Sequence, residues 1–412
     1  MKVGIGFVTG RKGFRNLLRT YINNWNEHGL IEDKSILIQL FIAYDLKYHK
    51  TNINDYKNIP SELIKLIDGI NYYGVNKIKE ESKILVNNGV LTLKEADLLF
   101  GSGYGKKRNA VLYAAIRNGM DALLFIDDDE YPIASCVHNK LCWMGQGVVS
   151  THLKHINDCD ITHGRHCGYI SPIPFIEFSE KLPEKVFKKF IIALSNDIIS
   201  WDSVKNTMIQ NNGVTYADMD ILMNQPIFEV QEEHGMKFIS GANLCFNLNK
   251  INSIAPFYNP PGARGEDTFL STCLSKNKVI RVPCYTFHDG FLFYKNILNG
   301  VLPVELSPIT ANSKIIINRF VNASRGWMRY KPLLTYITKN KDYDSIMKEI
   351  KESLDISIPF MCDFFKTQEF DKIFSDFDIY QKNVRLHYDT FEKTKIAWAK
   401  AVTWAQLNKY NR

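Results

Sequence analysis

The chain has 412 residues, enough for one large domain with an accessory region or for two domains. Hydrophobic residues make up 45% and charged residues 23%, which is an ordinary globular composition, and the net charge is +7. This modest charge suits anionic ligands, but the lysines are spread along the chain instead of forming the clusters that bind nucleic acid. We therefore expect no nucleic-acid partner.

The N-terminal segment and the cysteines favour a cytoplasmic protein. The apolar stretch at residues 1–14 is too short for a signal peptide, and no run of roughly eighteen apolar residues could span a bilayer. The eight cysteines lack the spacing of a disulfide framework. Together these features predict reduced thiols in a cytoplasm.

Apolar runs and helical periodicity predict an α/β protein. In the first third of the chain, a helix with an apolar face that begins at Phe14 follows the first strand, and residues 46–100 are polar and helical in pattern. A Gly-rich loop at 101–105 then leads into a second helix. Strands are expected at 2–9, 35–43 and 121–126. This order predicts a parallel sheet with crossover helices.

The pattern becomes less regular after residue 132. A helix is predicted at 268–275, and from about residue 312 onwards the pattern is helical, with Tyr380–Trp404 as the longest candidate. Short strands are expected at 147–150, 160–164 and 278–283, and a strand or a hairpin is expected at 237–248.

The run LLFIDDDEYP (123–132) is the most informative stretch. An apolar strand ends there in Asp127, Asp128, Asp129 and Glu130. Crowded carboxylates oppose each other's ionisation unless a cation neutralises them. Mg²⁺ and Mn²⁺ take oxygen ligands and often a substrate phosphate as well. The run therefore predicts a divalent-metal site for a phosphate-containing substrate, with an acidic first turn of a helix as the alternative.

A basic helix start precedes this strand. The segment GSGYGKKRN carries Lys106, Lys107 and Arg108 into a helix. Cations beside the free N–H groups of a helix start suit a diphosphate. A solvated basic helix end is the alternative interpretation.

An acidic glycine loop and a histidine complete the set of candidates. In GARGEDTFL (262–270), flanking glycines allow close approach to a ligand. Glu266 and Asp267 begin the helix there, as functional acids or as simple caps. His288 follows a strand and stands beside Asp289, so it is a candidate metal ligand or base, with a structural role as the alternative.

Taken together, these segments resemble the nucleotide-sugar glycosyltransferases of the GT-A fold, and most of all the large family 2. The resemblance covers about residues 2–291. It implies a Rossmann-like, mostly parallel central sheet flanked by helices, and the helical pattern further along predicts a C-terminal helical region. We therefore expect a catalytic domain at 1–300, divided near residue 132 into a nucleotide-binding part and an acceptor-side part, and a helical region at 301–412.

The resemblance implies a role for each matching residue. Asp127 and Asp129 correspond to the family's Asp-x-Asp element, although the third aspartate leaves the register open by one residue. With His288 they would hold Mn²⁺ or Mg²⁺. Asp267 would be the base of an inverting reaction, and Glu266 would support the acceptor. The donor would contact Thr9, Gly10, Arg11, Asp45, Lys106, Arg108, Asp127, Asp128, Gly241, Ala242, Asn243 and Arg264.

The implied activity is transfer of a hexose from a UDP- or GDP-linked donor to a hydroxyl of a glycan, lipid-linked or protein acceptor, in bacterial-type glycan or glycoconjugate synthesis. Three alternatives stay open. One is a retaining enzyme with the same metal site, and another is a sugar nucleotidyltransferase. The third is a non-catalytic protein on the same scaffold.

Two further segments allow more than one interpretation. The His- and Cys-rich segment 151–169 matches no standard zinc-finger spacing, so a structural zinc site, the acceptor-side lining and core packing are all open. The basic, aromatic segment 318–331 is compatible with loose membrane association or with an anionic acceptor. The C-terminal aromatics could cover the acceptor cleft, mediate a homodimer or lie against a membrane, although aromatics at helical spacing more often pack in a core; they include Trp327, Tyr330, Tyr336, Trp398 and Trp404.

Overall fold

The central sheet has nine strands within residues 1–196 and 201–410, which the computed structural model describes. Two separate hairpins, β6–β7 and β10–β11, stand beside it. In chain order the strands are β1 (Lys2–Thr9), β2 (Leu37–Tyr44), β3 (Gly69–Tyr73), β4 (Ala122–Ile126), β5 (Glu130–Tyr131), β6 (Ile133–His138), β7 (Lys140–Gly145), β8 (Ile161–Gly168), β9 (Phe228–Glu229), β10 (Glu232–Glu233), β11 (Met236–Lys237), β12 (Leu244–Asn247) and β13 (Val279–His288).

The sheet is mixed, so the prediction of a mostly parallel sheet is wrong. The strand order is β3-β2-β1-β4-β12-β8-β13-β5, with β9 also on β13. The first four strands are parallel to one another, as are β8 and β13. The pairs of β12, and those of β5 and β9 with β13, are antiparallel. Strand β12 is buried along its whole length. A fully buried strand has the same apolar pattern whether it runs parallel or antiparallel to its neighbours, so the sequence did not reveal its direction.

Strand β1 lies between β2 and β4 in the parallel block, and its two faces pack differently. Val3, Ile5 and Phe7 are fully buried on one face. The alternate positions include Gly6, where an added Cβ would lie 2.8 Å from Cγ1 of Val111. The missing side chain therefore lets the helix that contains Val111 pack directly on the strand.

Helices cover both faces of the sheet and form the C-terminal region. They are α1 (Phe14–Glu27), α2 (Asn54–Lys57), α3 (Ser61–Ile64), α4 (Val75–Asn87), α5 (Leu93–Leu99), α6 (Tyr104–Arg117), α7 (Val148–Ile156), α8 (Glu184–Leu194), α9 (Trp201–Lys205), α10 (Met219–Asn224), α11 (Glu266–Ser271), α12 (Lys314–Thr338), α13 (Tyr343–Phe365), α14 (Lys372–Lys382) and α15 (Val384–Leu407). The α/β class and the C-terminal helices are thus confirmed, while residues 411–412 lie outside the described residues.

The C-terminal helices share apolar cores with the first 300 residues. Phe187 and Phe190 of α8 pack with Phe320 of α12. Trp398 of α15 is buried among the side chains of α6 and donates a hydrogen bond to the carbonyl of Ile254. The helical region is therefore joined to the sheet layer by continuous packing.

Two local predictions were wrong for identifiable reasons. Residues 147–150, expected to be a strand, begin α7, because Val148, Val149, His152 and Ile156 form its buried face. A four-residue apolar run cannot by itself distinguish a strand from a helix start. Strand β3 was missed because it is only partly buried at the sheet edge.

All eight cysteines are unpaired, in agreement with the predicted reduced thiols. Among the described residues, none of the helices combines the length and the apolarity needed to cross a membrane.

Candidate active site

Three parallel strands bring their C-terminal ends to one edge of the sheet. Thr9 of β1 lies opposite Tyr44 of β2, and Phe7 lies opposite Ile126 of β4. The residues that follow these strands are therefore neighbours, although they are far apart in sequence. Ligands of α/β proteins usually bind at such an edge.

Arg11 joins two of the clustered carboxylates. Its Nε lies 3.0 Å from Oδ1 of Asp128, and its Nη2 lies 2.7 Å from Oδ2 of Asp129. Asp128 also accepts hydrogen bonds from the Thr9 hydroxyl at 2.7 Å and from the Gly10 amide at 3.4 Å. Burial, with the nearby charge of Asp129, raises the pKa of Asp128 to about 6.

Asp129 also faces His288. The His288 Nε2 lies 3.4 Å from Oδ2 of Asp129, while its Nδ1 donates to the carbonyl of Tyr169 at 2.6 Å. Burial alone would lower the pKa of His288, but the attraction of Asp129 outweighs it and raises that pKa to about 9. The imidazole is therefore a cation at neutral pH in this arrangement.

Asp127 points away from these groups and toward α6. Its Oδ1 lies 2.8 Å from Nη2 of Arg108 and accepts a hydrogen bond from the Tyr104 hydroxyl. The Arg108 side chain is only 2% exposed, and its guanidinium lies over the ring of Phe125. It also donates to the carbonyl of Gly241. Arg108 thus connects the end of β4 with the loop before β12.

The Glu266–Asp267 pair lies on the other side of Arg108. Oε1 of Glu266 is 3.5 Å from the Arg108 Nε, and Oδ2 of Asp267 accepts a hydrogen bond from the Gly241 amide at 2.9 Å. Gly265, the residue before α11, has φ +84° and so lies in the left-handed region that favours glycine. Burial and the charge of Asp267 raise the pKa of Glu266 to about 7.

The lysines of the predicted diphosphate site point in different directions. Lys107 forms an ion pair with Asp45 at the end of β2. Burial would raise the pKa of Asp45, but this pairing outweighs it and lowers that pKa. Lys106 forms no ion pair with Asp127–Asp129 in the described part of the chain, and its ammonium donates to the carbonyl of Asp97.

Residues 241–243 contact both the carboxylate of Asp267 and the side chains and backbone of the sheet layer. Asn243 is fully buried, and its side-chain amide donates to the carbonyl of Arg165 at 3.1 Å. Its side-chain oxygen lies 2.8 Å from His152 Nε2 and accepts a hydrogen bond when that nitrogen carries the proton. Ala242 is also buried. These two side chains hold the loop in position, whereas Gly241 bonds to Asp267.

Stability should depend on pH through His152. Burial lowers the pKa of this histidine from 6.5 to about 4. The unfolded chain therefore binds a proton at a higher pH than the native protein does, and the contribution to stability is full above pH 6.5 and is lost as the pH falls toward 4. The shift corresponds to about 3 kcal/mol. We expect His152→Gln to flatten the fall in the free energy of unfolding, measured with urea between about pH 7.5 and 4.5. An equally steep fall in the variant would contradict this assignment.

Helix α12 supplies residues that sequence reasoning did not single out. Arg319 donates to the carbonyl of Gly290, and its charge interacts with those of Asp129, Arg11 and Arg264. Burial, with the neighbouring arginines, lowers the pKa of Arg319. The predicted donor residue Arg264 packs against Gly326 of the same helix. The basic character of segment 318–331 was visible in the sequence, but the sequence did not show that Arg319 lies close to Asp129.

The predicted metal ligands do not converge in this arrangement. Asp129 and His288 are adjacent, but Asp127 is turned to Arg108, and the guanidinium of Arg11 lies against Asp128 and Asp129. Within residues 1–196 and 201–410, no group of three His, Cys, Asp or Glu side chains is placed to hold an ion. As arranged, the residues therefore do not fit a divalent metal, and arginine and histidine neutralise the carboxylates.

The His- and Cys-rich segment is dispersed over several environments. His152 contacts Thr162, and His166 pairs with Glu130 at 3.0 Å. The Cys159 thiol donates to the carbonyl of His155, and Cys167 lies against Ser135. These side chains belong to the core and to β8.

Neither a protein-family model nor a curated protein matches this chain. Its function is therefore inferred from the site itself.

Proposed function

We propose that the protein is a GT-A-type glycosyltransferase that transfers a hexose from a UDP- or GDP-sugar to an acceptor hydroxyl. One observation carries the proposal. Three groups of charged side chains lie near the C-terminal edge of the parallel strands, and they are Asp45 with Lys107, Asp127 and Glu266 with Arg108, and Asp128 and Asp129 with Arg11 and His288. Acids and bases from four separate segments meet where a nucleotide would bind in such a sheet.

Cationic groups at this edge would stabilise the departing diphosphate. Arg11, Arg264 and Arg319 lie close enough for their charges to interact, and Arg319 has no carboxylate within ion-pair distance among the described residues. Preorganised positive charge at the site of developing negative charge is often the largest catalytic contribution. Binding of the diphosphate would also relieve the mutual repulsion of these arginines.

The acceptor hydroxyl needs a base. Asp267 stands at the start of α11, with one oxygen held by Gly241. In this proposal Asp267 is the general base. It would accept the proton of the acceptor hydroxyl while the hydroxyl oxygen attacks the anomeric carbon from the face opposite the nucleotide. Glu266, beside it, would bind the acceptor. An NMR assay of the anomeric configuration of the product distinguishes this inverting course from a retaining one.

Mn²⁺ or Mg²⁺, which the resemblance implies, does not fit the residues as they are arranged, and no step proposed here depends on it. For Asp127, Asp129 and His288 to share an ion, Asp127 would have to leave Arg108, and Arg11 would have to leave Asp129. Titration of donor binding with and without Mn²⁺ measures whether this rearrangement occurs.

Nucleotide binding is expected to depend on Arg11. In a thermal-shift panel of UDP-, GDP- and dTDP-sugars, with and without Mn²⁺, one nucleotide at about 100 times its Kd should stabilise the protein by about 2.7 kcal/mol. Arg11→Gln should remove most of this ligand-induced increment. Arg15→Gln is the matched control, because Arg15 donates to the carbonyl of Asn58, away from the acidic residues.

Two outcomes would contradict the proposal. In the first, no sugar nucleotide stabilises the protein under any condition. In the second, the purified protein releases pyrophosphate from a nucleoside triphosphate and a sugar phosphate, which is the reaction of a nucleotidyltransferase. Slow hydrolysis of the stabilising donor, by contrast, would support transfer of the sugar.

A further inference from the structure

A second cluster of positive charge lies on strands β8 and β13. Arg165 belongs to β8, and Arg281, on β13, pairs with His163 of β8. The Nε of each arginine is buried without a hydrogen-bond partner, and neither arginine has a carboxylate within ion-pair distance among the described residues. Burial, followed by the charge of Arg165, lowers the pKa of Arg281 to about 10. Two arginines with unmet bonding capacity therefore stand side by side.

His163 adds an unsatisfied imidazole to this cluster. It is 1% exposed, and neither of its ring nitrogens has a hydrogen-bond partner. Burial and the charge of Arg281 lower its pKa well below the usual value, so the ring is neutral and offers one donor and one acceptor. An unpartnered polar group at this depth is costly, and native proteins usually provide it with a partner.

These three side chains line a cavity of about 330 Å³. Phe228 and Phe238 contribute aromatic rings to its walls, and Glu229 and Glu233 contribute exposed carboxylates. The guanidinium of Arg165 also lies over the ring of Phe228 at 5.8 Å. The lining thus combines aromatic faces, hydrogen-bond acceptors and paired cations.

We propose that this cavity binds an acidic sugar, a hexose that carries a carboxylate or a phosphate, as part of the acceptor. Arg165 and Arg281 would hold the oxyanion through paired N–H groups. The aromatic rings would pack on the C–H face of the sugar, and Glu229 and Glu233 would accept hydrogen bonds from its hydroxyls. His163 would gain the partners it lacks. This inference rests on the proposed glycosyltransferase function.

The backbone connects the cavity to the candidate base. Phe238 lies in its wall, the next amide, that of Ile239, donates to the hydroxyl of Ser271 on α11, and Gly241 donates to Asp267. An acceptor whose acidic unit occupies the cavity would therefore extend along 238–241 toward Asp267. Such an acceptor would be an oligosaccharide instead of a single sugar.

The test measures binding without any donor. Methyl glucuronide, glucose 6-phosphate, methyl glucoside and inorganic phosphate are titrated into the full chain by calorimetry. We expect one acidic sugar to bind at least about 10-fold more tightly than methyl glucoside, and Arg165→Gln or Arg281→Gln to weaken that binding by about 10-fold or more. Arg385→Gln, an exposed arginine on α15, is the matched control and should bind as the wild type does.

A second measurement covers the case in which the arginine variants do not fold. In wild-type protein with isotope-labelled histidine, the ring signals of His163 should shift on addition of the acidic sugar. The proposal is overturned if no acidic sugar binds saturably, if inorganic phosphate binds as tightly as the sugars, or if the His163 signals do not move. Because this test contains no nucleotide, a negative result contradicts the acidic-sugar site alone. A negative result in the thermal-shift panel of sugar nucleotides contradicts the proposed glycosyltransferase function.

Discussion

Asp267→Asn is expected to lower sugar transfer by about 10²–10⁴-fold, the usual contribution of a general base. The amide removes the proton acceptor but keeps the shape of the side chain, and its oxygen can still accept the Gly241 N–H. Donor binding should therefore be unchanged. Single-turnover transfer, together with the thermal shift produced by the donor, measures both quantities.

Glu266→Gln is the matched comparison. Burial raises the pKa of Glu266 to about 7, a value that also suits a base at neutral pH. We expect a smaller loss for this variant, expressed mainly as weaker acceptor binding. If Asp267→Asn turns over at near-normal rates and Glu266→Gln does not, the two roles are exchanged.

The largest expected effect on stability comes from Arg108→Met. This change leaves Asp127 and Glu266 without their common partner and removes a hydrogen bond to Gly241. Breaking a buried ion pair usually costs about 3–5 kcal/mol. Because the Asp127 side chain is 27% exposed, we expect the lower end of that range, about 3 kcal/mol. Urea unfolding measures the loss.

Arg325→Met provides the control for this experiment. Arg325 pairs with Asp376 at 2.7 Å but is 23% exposed, and Arg329 continues to neutralise the same carboxylate at 2.9 Å. We expect a loss of about 1 kcal/mol or less. An equal loss for the two variants would show that Arg108 acts as an ordinary surface cation.

The sequence predicted the elements that form the acidic edge. Apolar runs identified β1, β2 and β4, and the polar residues just after them identified the edge, because parallel strands end on the same side. It could not predict the contacts of these residues. Asp127 is turned toward Arg108 instead of lying beside Asp129, and this depends on how α6 packs on the sheet.

The chain alone determined the α/β class, the C-terminal helices and the free thiols, since these follow from local periodicity and composition. Tertiary structure decided the antiparallel insertion of β12, the approach of Arg319 on α12 to Asp129, and the meeting of Arg165 with Arg281. Each of these brings together residues that are distant in sequence. Their proximity follows from packing between elements, which a local pattern does not encode.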